Sequence, residues 1–358
     1  MSFNVGFIGS GGIARSHVFA INALNYYYDN VPKIKLCNVA ASNVDNAKIF
    51  AKKFGFEKFS DTQSLLDNQE IDTLFILSPN MLHYEHLNSA LDKHNIQNIY
   101  IEKPLCANYD QLQNLLNKFN RRKVNLQLGF QFLYMPAVLN ALNRVHEIGE
   151  IIHFQSCYLH SEYLDKKYRN KRANRLVAAP EGGAVADLGS HVFSLLVAFL
   201  GNDLEIRHAQ CSGSFDDVDK NSDLCSQVFV EDKHSGAIGF VVASRISSGA
   251  SDVLELEIRG TRGAIQVSSL KPDILRIYKN LISKSNIWQE VFCGNDYVPY
   301  STFPSINVPS GWLRSLTHAL FVFFTGAKCA IRPTLDHGVY VQRLINDVAE
   351  KLKREIKG

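Results

Sequence analysis

The chain has 358 residues, of which 46% are hydrophobic and 20% are charged. That length is enough for two ordinary domains, and that composition is typical of packed globular proteins, which excludes a largely disordered chain. The 38 basic and 35 acidic residues leave a net charge of +3, so the charge gives no reason to expect nucleic acid as a partner.

Targeting and metal-binding signals are absent from the sequence. The N-terminal residues lack a basic stretch followed by an apolar core, so no signal peptide is expected. The longest apolar runs, at 192–200 and 319–324, are far shorter than the roughly 20 residues that a membrane span needs. The seven cysteines include no C-x-x-C pair, so neither a disulfide framework nor a bound metal is expected. We therefore expect a cytoplasmic protein with no membrane partner.

The first third of the chain alternates short apolar runs with amphipathic segments. The apolar runs predict buried strands at 4–8, 35–41, 73–77, 98–101 and 125–130. The segments between them predict helices from about 12 to 24, 46–54, 84–94 and 109–121. Strands that alternate with helices indicate a parallel sheet, so an α/β Rossmann domain is expected over residues 1–130.

The pattern changes after residue 130. Helices are predicted at 136–148, about 184–200 and 340–353, and runs of β character at 151–159, 206–212, 225–230, 237–244, 253–259 and 264–268. Hairpin-type turn residues separate several of these runs, which favours antiparallel pairing. We expect an α+β domain with a large open, mostly antiparallel sheet over residues 131–358, which binds substrate and forms oligomers.

A glycine-rich turn follows the first predicted strand and opens the first predicted helix. Gly9-Ser10-Gly11-Gly12-Ile13-Ala14 fits the pattern G-x-G-x-x-G/A. The first glycine allows the tight turn, the second lets the backbone approach a pyrophosphate, and the small sixth residue keeps helix and strand close. The pattern predicts binding of NAD or NADP by Gly9, Gly11, Gly12, Ile13 and Ala14.

The end of the second strand bears on the choice of cofactor. It reads Ala40-Ala41-Ser42-Asn43, with no acid at the tip to bind the ribose 2′-hydroxyl of NAD. Ser42 and Asn43 can hydrogen-bond either a 2′-hydroxyl or a 2′-phosphate. The missing carboxylate favours NADP slightly, and no arginine follows to reinforce that preference, so both cofactors stay open.

Three side chains are candidates for proton chemistry. Lys103 follows a buried strand at its carboxyl end, where α/β sheets place their ligands, and can polarise a substrate hydroxyl. Asp187 and His191 are four residues apart at a helix start, so they face the same direction. A carboxylate can orient an imidazole, and histidine moves protons near neutral pH. The catalytic candidates are therefore Lys103, Asp187 and His191.

Together these segments resemble the Gfo/Idh/MocA oxidoreductase family, which includes inositol dehydrogenase and glucose-fructose oxidoreductase. The resemblance rests on the glycine turn, Glu102-Lys103-Pro104 and Asp187-Leu188-Gly189-Ser190-His191. Further matches are Ser78-Pro79-Asn80-Met81-Leu82-His83 and Arg332-Pro333-Thr334, so the resemblance covers nearly the whole chain. It implies an oxidoreductase that transfers hydride between a nicotinamide cofactor and a secondary alcohol or ketone of a sugar, polyol or nucleotide sugar.

The resemblance also implies individual roles. Lys103 is expected to contact the reacting hydroxyl and the nicotinamide ribose, His191 to be the general acid and base, and Asp187 to bind substrate and support His191. The remaining cofactor contacts are expected from two loops, with these residues: Ser78, Pro79, Asn80, His83 and Glu102. For His83, orientation of its own loop is the alternative.

The substrate assignment is less constrained because two positions depart from the family pattern. Leu133 stands where many members carry an arginine, and Ser194 where many carry an aspartate. Gln131 and Tyr134 are candidates for lining the substrate cleft. The basic stretch 163–175 is either a solvated loop or a site for an anionic group such as a nucleotide-sugar diphosphate, bound by Lys166, Arg169 or Arg172.

Two other functions stay open beside the dehydrogenase. One is a glycoside hydrolase of the same fold that retains its NAD, and the other is a non-catalytic, cofactor-binding regulator. Members of the family pair through such C-terminal sheets, so a homodimer or homotetramer is expected.

Overall fold

The computed structural model describes residues 2–173, 176, 182–212, 215–218, 222–279, 287–294, 297–303 and 308–355. The chain forms two compact units. The first comprises Met1–Gln131, Val298–Ser305 and Leu316–Gly338, and the second comprises Phe132–Tyr297, Ile306–Ser315 and Val339–Gly358. Two late segments thus belong to the first unit, whereas the sequence analysis assigns everything after residue 130 to the second domain.

The first unit contains a six-stranded parallel sheet. Its strands are β1 (Ser2–Ile8), β2 (Lys33–Ala40), β3 (Lys58–Ser60), β4 (Thr73–Ile76), β5 (Asn98–Ile101) and β6 (Asn125–Leu128), in the order β3-β2-β1-β4-β5-β6. The helices between them are α1 (Gly12–Tyr27), α2 (Val44–Phe54), α3 (Thr62–Leu66), α4 (His83–Ala90) and α5 (Tyr109–Arg121). This order confirms the Rossmann fold, and its reversal between β1 and β4 is where such sheets bind their ligand.

The second unit contains an eight-stranded sheet. Its helices are α6 (Pro136–Arg144), α7 (Lys166–Lys171) and α8 (Ser190–Leu200). Its strands are β7 (Ile151–Leu159), β8 (Leu204–Ser212), β9 (Cys225–Asp232), β10 (Ile238–Ser244), β11 (Val253–Gly260), β12 (Gly263–Ser268), β13 (Lys271–Lys279) and β14 (Gln289–Phe292). The order is β14-β13-β12-β11-β7-β10-β9-β8, and every neighbouring pair is antiparallel except β7 and β10. The predicted mostly antiparallel sheet is confirmed.

Two helices complete the chain, α9 (Trp312–Thr325) and α10 (Leu335–Glu355). The apolar run at 319–324 lies within α9, a helix that is not among those predicted from the sequence. Within the first unit, Phe323 of α9 packs edge-on against Phe75 and Tyr100, with ring centroids 5.8 and 5.6 Å apart. This aromatic packing explains why residues of α9 belong to the Rossmann unit.

Several predicted helices differ in their ends or type. The helix predicted at 136–148 is α-helical only to Arg144 and continues as a 3₁₀ turn, Val145–Ile148. The helix predicted at about 184–200 begins as a π-helical turn, Val185–Gly189, before α8. Helix α10 begins five residues earlier than predicted and includes Gly338, where a Cβ would lie 2.6 Å from Leu128, so glycine permits the close approach.

Within the described part of the chain, no helix has both the length and the apolar character of a membrane span.

Candidate active site

The glycine turn after β1 is shaped to accept a phosphate group. Gly9 has a φ of 120°, and a Cβ there would lie 2.5 Å from the carbonyl oxygen of Leu77, so only glycine fits. A Cβ on Gly11 or Gly12 would meet no atom of the described residues within 4 Å. The N-cap residue of α1 is Gly11, which has no side chain to accept a hydrogen bond from the first N–H groups of the helix. A dinucleotide pyrophosphate fits this cradle, since it needs close backbone approach and N–H donors.

Ile13 and Ala14 complete the turn as the motif requires. Ala14 is fully buried and Ile13 partly buried, so the small residue lies in the contact between α1 and the sheet.

The tip of β2 offers one hydroxyl and one amide. Ser42 and Asn43 are both exposed. Asn43 caps α2, because its Oδ1 accepts hydrogen bonds from the backbone N–H groups of Asp45 and Asn46 at 2.9 and 3.3 Å. The side-chain amide oxygen of Asn43 is therefore used to cap the helix. Ser42 is the better candidate for a ribose contact.

The loop after β4 is tied to the loop after β5 by His83. Its Nδ1 lies 2.7 Å from the carbonyl oxygen of Pro104, and its Nε2 lies 2.9 Å from that of Ser78. His83 is fully buried, and this burial lowers its pKa. This geometry favours the loop-orienting alternative for His83. Pro79 is exposed, and Ser78 and Asn80 are partly exposed, so these three residues of the loop can meet a cofactor.

Glu102 and Lys103 follow β5 and differ in their surroundings. Glu102 is buried, with its Oε1 2.9 Å from Nε2 of His17 on α1. Lys103 is partly exposed and precedes a cis peptide bond to Pro104. The carboxylate of Glu102 is thus used inside the unit, and Lys103 is the side chain of this turn that can reach a ligand.

Gln131 and Tyr134 belong to a 3₁₀ turn, Gln131–Tyr134, and both are buried. The carbonyl oxygen of Tyr134 accepts a hydrogen bond from the Tyr297 hydroxyl at 2.8 Å. Phe132 of the same turn contacts His191, with the ring centroids 5.0 Å apart. Phe132, which was not among the predicted site residues, therefore contacts a catalytic candidate.

The π-helical turn carries Asp187 beside a buried arginine. Nη2 of Arg245 donates to Oδ2 of Asp187 at 2.9 Å, and the side chains are 1% and 16% exposed. The guanidinium of Arg245 also lies over the ring of Tyr163, 4.7 Å from its centroid. Asp187 therefore has a fixed cationic partner, and π-helical turns are frequent at functional sites. The signal for Arg245 in the sequence is its place directly after an apolar strand.

Asp223 anchors the start of the π-helical turn. Its Oδ2 accepts a hydrogen bond from the backbone N–H of Val185 at 2.7 Å, and its Oδ1 accepts one from the Ser226 hydroxyl at 2.6 Å. Asp223 is buried, and burial raises its pKa. Gly183 has a φ of 80°, and a Cβ there would lie 2.7 Å from Asp223. Glycine is thus required where the chain passes this carboxyl group.

His191 lies in an aromatic environment at the start of α8. It is buried, and its ring is edge-on to Phe132 and at 62° to Tyr158, whose centroid is 5.7 Å away. The Tyr158 hydroxyl donates to Oδ1 of Asp252 at 3.3 Å. Burial raises the pKa of Tyr158 well above its usual value of 10, so it stays a neutral phenol. These rings orient the imidazole of His191 and limit its contact with water.

The basic residues of α7 and its C-cap include one buried arginine, Arg169, and others that are at least partly exposed. Arg169 is buried and pairs with both carboxylate oxygens of Asp217, at 2.7 and 3.2 Å. It also donates to the carbonyl oxygens of Tyr163 and Leu164, at 2.8 and 3.0 Å. The prediction that Arg169 meets an anionic substrate is thus corrected, because its guanidinium is held by the protein itself.

Lys166 is exposed and Arg172 partly exposed, with its guanidinium 5.9 Å from the ring of Tyr168. These two basic residues stay candidates for an anionic group.

The candidates thus fall into two sets. The first unit holds the glycine turn, the Ser78 loop, Glu102 and Lys103, and the second unit holds Asp187 and His191 with Arg245, Asp223, Phe132 and Tyr158. A Rossmann sheet with this glycine turn and a lysine at the end of β5 is typical of one class of protein, the nicotinamide-dependent oxidoreductases.

Comparison with known families agrees with this class. Residues 3–130 match the profile described as "Oxidoreductase family, NAD-binding Rossmann fold", and residues 139–266 match the profile "GFO/IDH/MocA C-terminal domain". The chain belongs to the GFO/IDH/MocA family of NAD-binding oxidoreductases.

Individual relatives are sugar dehydrogenases by name. Levoglucosan dehydrogenase of Pseudarthrobacter phenanthrenivorans is 27% identical over 300 residues, which are 77% of this chain and 76% of that protein. Glucose-6-phosphate 3-dehydrogenase of Bacillus subtilis is 29% identical over 194 residues, 54% of this chain and 52% of that protein. A solved levoglucosan dehydrogenase, in complex with NADH and levoglucosan, superposes with a TM-score of 0.89 at 23% identity, over 99% of this chain and 98% of that one.

Proposed function

We propose that this protein is a dehydrogenase that interconverts a secondary alcohol and a ketone on a sugar or polyol, with NAD or NADP as cofactor. The observation that carries the proposal is the partly exposed Lys103 at the carboxyl end of β5, in a Rossmann unit whose glycine turn has room for a pyrophosphate. The relatives named for levoglucosan and glucose 6-phosphate support a sugar substrate.

The roles of the residues follow from their chemistry. The bound nicotinamide supplies the acceptor for hydride from the substrate carbon. Lys103 donates a hydrogen bond to the substrate oxygen and stabilises its developing negative charge. His191 takes the hydroxyl proton during oxidation and returns it during reduction. Asp187, held by Arg245, accepts a hydrogen bond from a second hydroxyl and so sets which carbon reacts.

The test is turnover that depends on Lys103. Purified protein is titrated with NAD(H) and NADP(H) by fluorescence, and absorbance at the reduced-nicotinamide band is followed with sugars, polyols and nucleotide sugars. We expect Lys103→Ala to lower kcat by roughly 100-fold or more, whereas the exposed Lys123→Ala in the same unit leaves kcat unchanged. Cofactor binding with glycoside cleavage and no net redox change would indicate the cofactor-retaining hydrolase, and binding without any turnover would indicate the regulator.

For the cofactor, we propose that the tip of β2 accepts NADP as well as NAD. The exposed Ser42 and the absence of an acid in Ala40-Ala41-Ser42-Asn43 leave no carboxylate within that tip to repel a 2′-phosphate. Ser42→Asp should therefore weaken NADP binding by about tenfold or more relative to NAD, since it adds the missing carboxylate. Equal effects on both dissociation constants would contradict this role for Ser42.

For an anionic substrate, Lys166 and Arg172 are the proposed contacts. Alanine at both positions should raise KM for a phosphorylated or nucleotide sugar and leave KM for a neutral sugar unchanged. An unchanged KM for the anionic sugar would indicate that Lys166 and Arg172 are solvated surface residues.

We also propose a homodimer or homotetramer that pairs through the open face of the eight-stranded sheet. Phe229 and Phe240 are direct cross-strand partners and are 52% and 37% exposed. Ile238, two residues before Phe240 on the same strand and thus on the same face, is 61% exposed, which is unusual for a large apolar side chain. Phe240→Glu should shift the mass measured by light scattering toward the monomer, and a monomeric wild-type protein would reject the proposal.

A further inference from the structure

We infer that His17 and Glu102 form a positioning pair that holds the Glu102-Lys103-Pro104 turn against α1. The inference rests on the role proposed above for Lys103. The two side chains come from residues 85 apart in sequence, and Nε2 of His17 lies 2.9 Å from Oε1 of Glu102. His17 is fully buried and Glu102 is 7% exposed, so water competes little with their hydrogen bond.

The surroundings of His17 decide which atom carries the proton. The rings of Tyr100 and Phe75 pack at steep angles to the imidazole, with centroids 5.0 and 5.5 Å away. Among the described residues, Nδ1 of His17 is buried without a hydrogen-bond partner. A proton on Nδ1 would leave a buried donor unsatisfied, so the geometry favours a proton on Nε2, which donates it in a hydrogen bond to the Glu102 carboxylate.

Glu102 is also held from its other side and along its backbone. A Cβ at residue 129 would lie 2.6 Å from Oε2 of Glu102, so the carboxylate rests against Gly129. The backbone N–H of Glu102 donates to the carbonyl oxygen of Ile76 at 3.0 Å. Side chain and backbone of Glu102 are therefore both fixed.

The far end of the turn is fixed by another buried histidine. Nδ1 of His83 lies 2.7 Å from the carbonyl oxygen of Pro104. Lys103 lies between these two anchors, so a shift at either end moves its Cα. An apolar pair of similar volume would serve stability as well as a buried polar pair does, whereas a directional hydrogen bond specifies position. The pair therefore acts on the placement of Lys103, and a misplacement of about 1 Å costs roughly 100-fold in rate.

The test compares His17→Leu with a matched control. His318→Leu also breaks a buried histidine hydrogen bond in the same unit, between Nδ1 of His318 and the Tyr28 hydroxyl at 2.7 Å. We expect His17→Leu to lower kcat about 30- to 100-fold and to change the dissociation constant of the cofactor less than about threefold. His318→Leu should keep kcat within about threefold, and His17→Gln, which retains a donor, should recover part of the loss.

Hydrogen exchange, measured without cofactor or substrate, tests whether His17 and Glu102 hold the turn in place. Hydrogen exchange followed by mass spectrometry on peptides spanning residues 100–106 should be at least about tenfold faster in His17→Leu than in the wild type, and unchanged in His318→Leu. Unchanged exchange in His17→Leu, or equal kcat losses in the two leucine variants, would overturn the inference.

The variant Lys103→Ala, measured in the same series, separates this inference from the proposed function. Full turnover in Lys103→Ala would reject the proposed function, while the exchange rates would still decide whether His17 and Glu102 position the turn.

Discussion

Asp187 and Arg245 illustrate how single residues set the properties of the candidate site. Arg245 is almost completely buried, and its ion pair with Asp187 joins two strongly hydrated groups. Buried charges of this kind are stable only when they are paired, because removing one partner leaves the other charge without compensation. The pair therefore holds the carboxylate of Asp187 in one orientation.

Replacement of Arg245 should therefore lower the free energy of unfolding. Arg245→Leu is expected to lower the free energy of unfolding by about 3 kcal/mol, measured by urea denaturation. Arg207→Leu is the control, because Arg207 pairs with Glu231 at the surface, where an ion pair contributes about 1 kcal/mol or less. Equal losses in the two variants would show that burial adds nothing to the Asp187–Arg245 pair.

The two glycines of the cofactor turn should respond differently to alanine. Gly9→Ala is expected to destabilise the protein by about 2 kcal/mol or more, because φ is 120° and the new Cβ would meet the Leu77 carbonyl oxygen at 2.5 Å. Gly11→Ala should leave stability within about 0.5 kcal/mol but weaken cofactor binding about tenfold or more, since its Cβ fills the space for the pyrophosphate. Thermal unfolding and cofactor titration measure the two effects, and unchanged binding in Gly11→Ala would contradict the phosphate site.

At the scale of elements, the π-helical turn Val185–Gly189 depends on a strand neighbour. Asp223 lies just before β9 and accepts hydrogen bonds from Val185 and Ser226. The turn that carries Asp187 is therefore tied to the start of β9 by one side chain. The backbone N–H of Val185 depends on that side chain for its hydrogen bond, whereas the N–H of Ala184 donates to the backbone carbonyl oxygen of Asp223 at 2.9 Å.

Two substitutions of Asp223 should separate hydrogen bonding from charge. Asp223→Ala leaves the Val185 N–H unsatisfied and should cost about 1–3 kcal/mol of stability, together with activity. Asp223→Asn should cost less than about 1 kcal/mol, because the amide oxygen can accept from Val185 and the amide N–H can donate to the Ser226 hydroxyl. Denaturant unfolding and kcat are measured for both, and an asparagine variant as unstable as the alanine variant would indicate that the charge is essential.

At the scale of the whole molecule, buried and partly buried histidines predict sensitivity to acid. Burial lowers the pKa of His83, His86 and His160, and it lowers the pKa of His337 to about 4. The unfolded chain takes up these protons near pH 6.5, before the folded protein does. Stability from each histidine is thus fully present above about pH 6.5 and is lost as the pH falls toward the folded pKa.

His337 allows this acid sensitivity to be measured at one position. The free energy of unfolding should fall between pH 7 and pH 5, with a contribution of about 2 kcal/mol from His337. His337→Gln should reduce the fall by that amount, whereas the exposed His94→Gln should not change it. Urea unfolding at pH 7, 6 and 5 gives the comparison, and parallel curves for wild type and His337→Gln would reject this assignment.

The sequence determined the features that depend on local pattern. Alternation of apolar runs with amphipathic segments specified the parallel sheet, because period and run length reflect burial on both faces. The spacing of the glycines specified the turn at Gly9-Ser10-Gly11-Gly12-Ile13-Ala14, because a φ of 120° at its first residue admits only glycine. The family and its reaction class also followed from such short segments.

Only the tertiary structure decided which polar groups are buried and with whom they pair. Arg169 reads as one cation in a basic stretch, but Asp217, 48 residues later, holds it inside the protein. The partner of Asp187 lies 58 residues away, and that of Glu102 lies 85 residues away. Helix α9 joins the Rossmann unit through contacts of Phe323 with Phe75 and Tyr100, which are more than 200 residues distant in the chain. The desolvation and pairing of a polar side chain depend on such distant neighbours, and the local sequence pattern does not specify them.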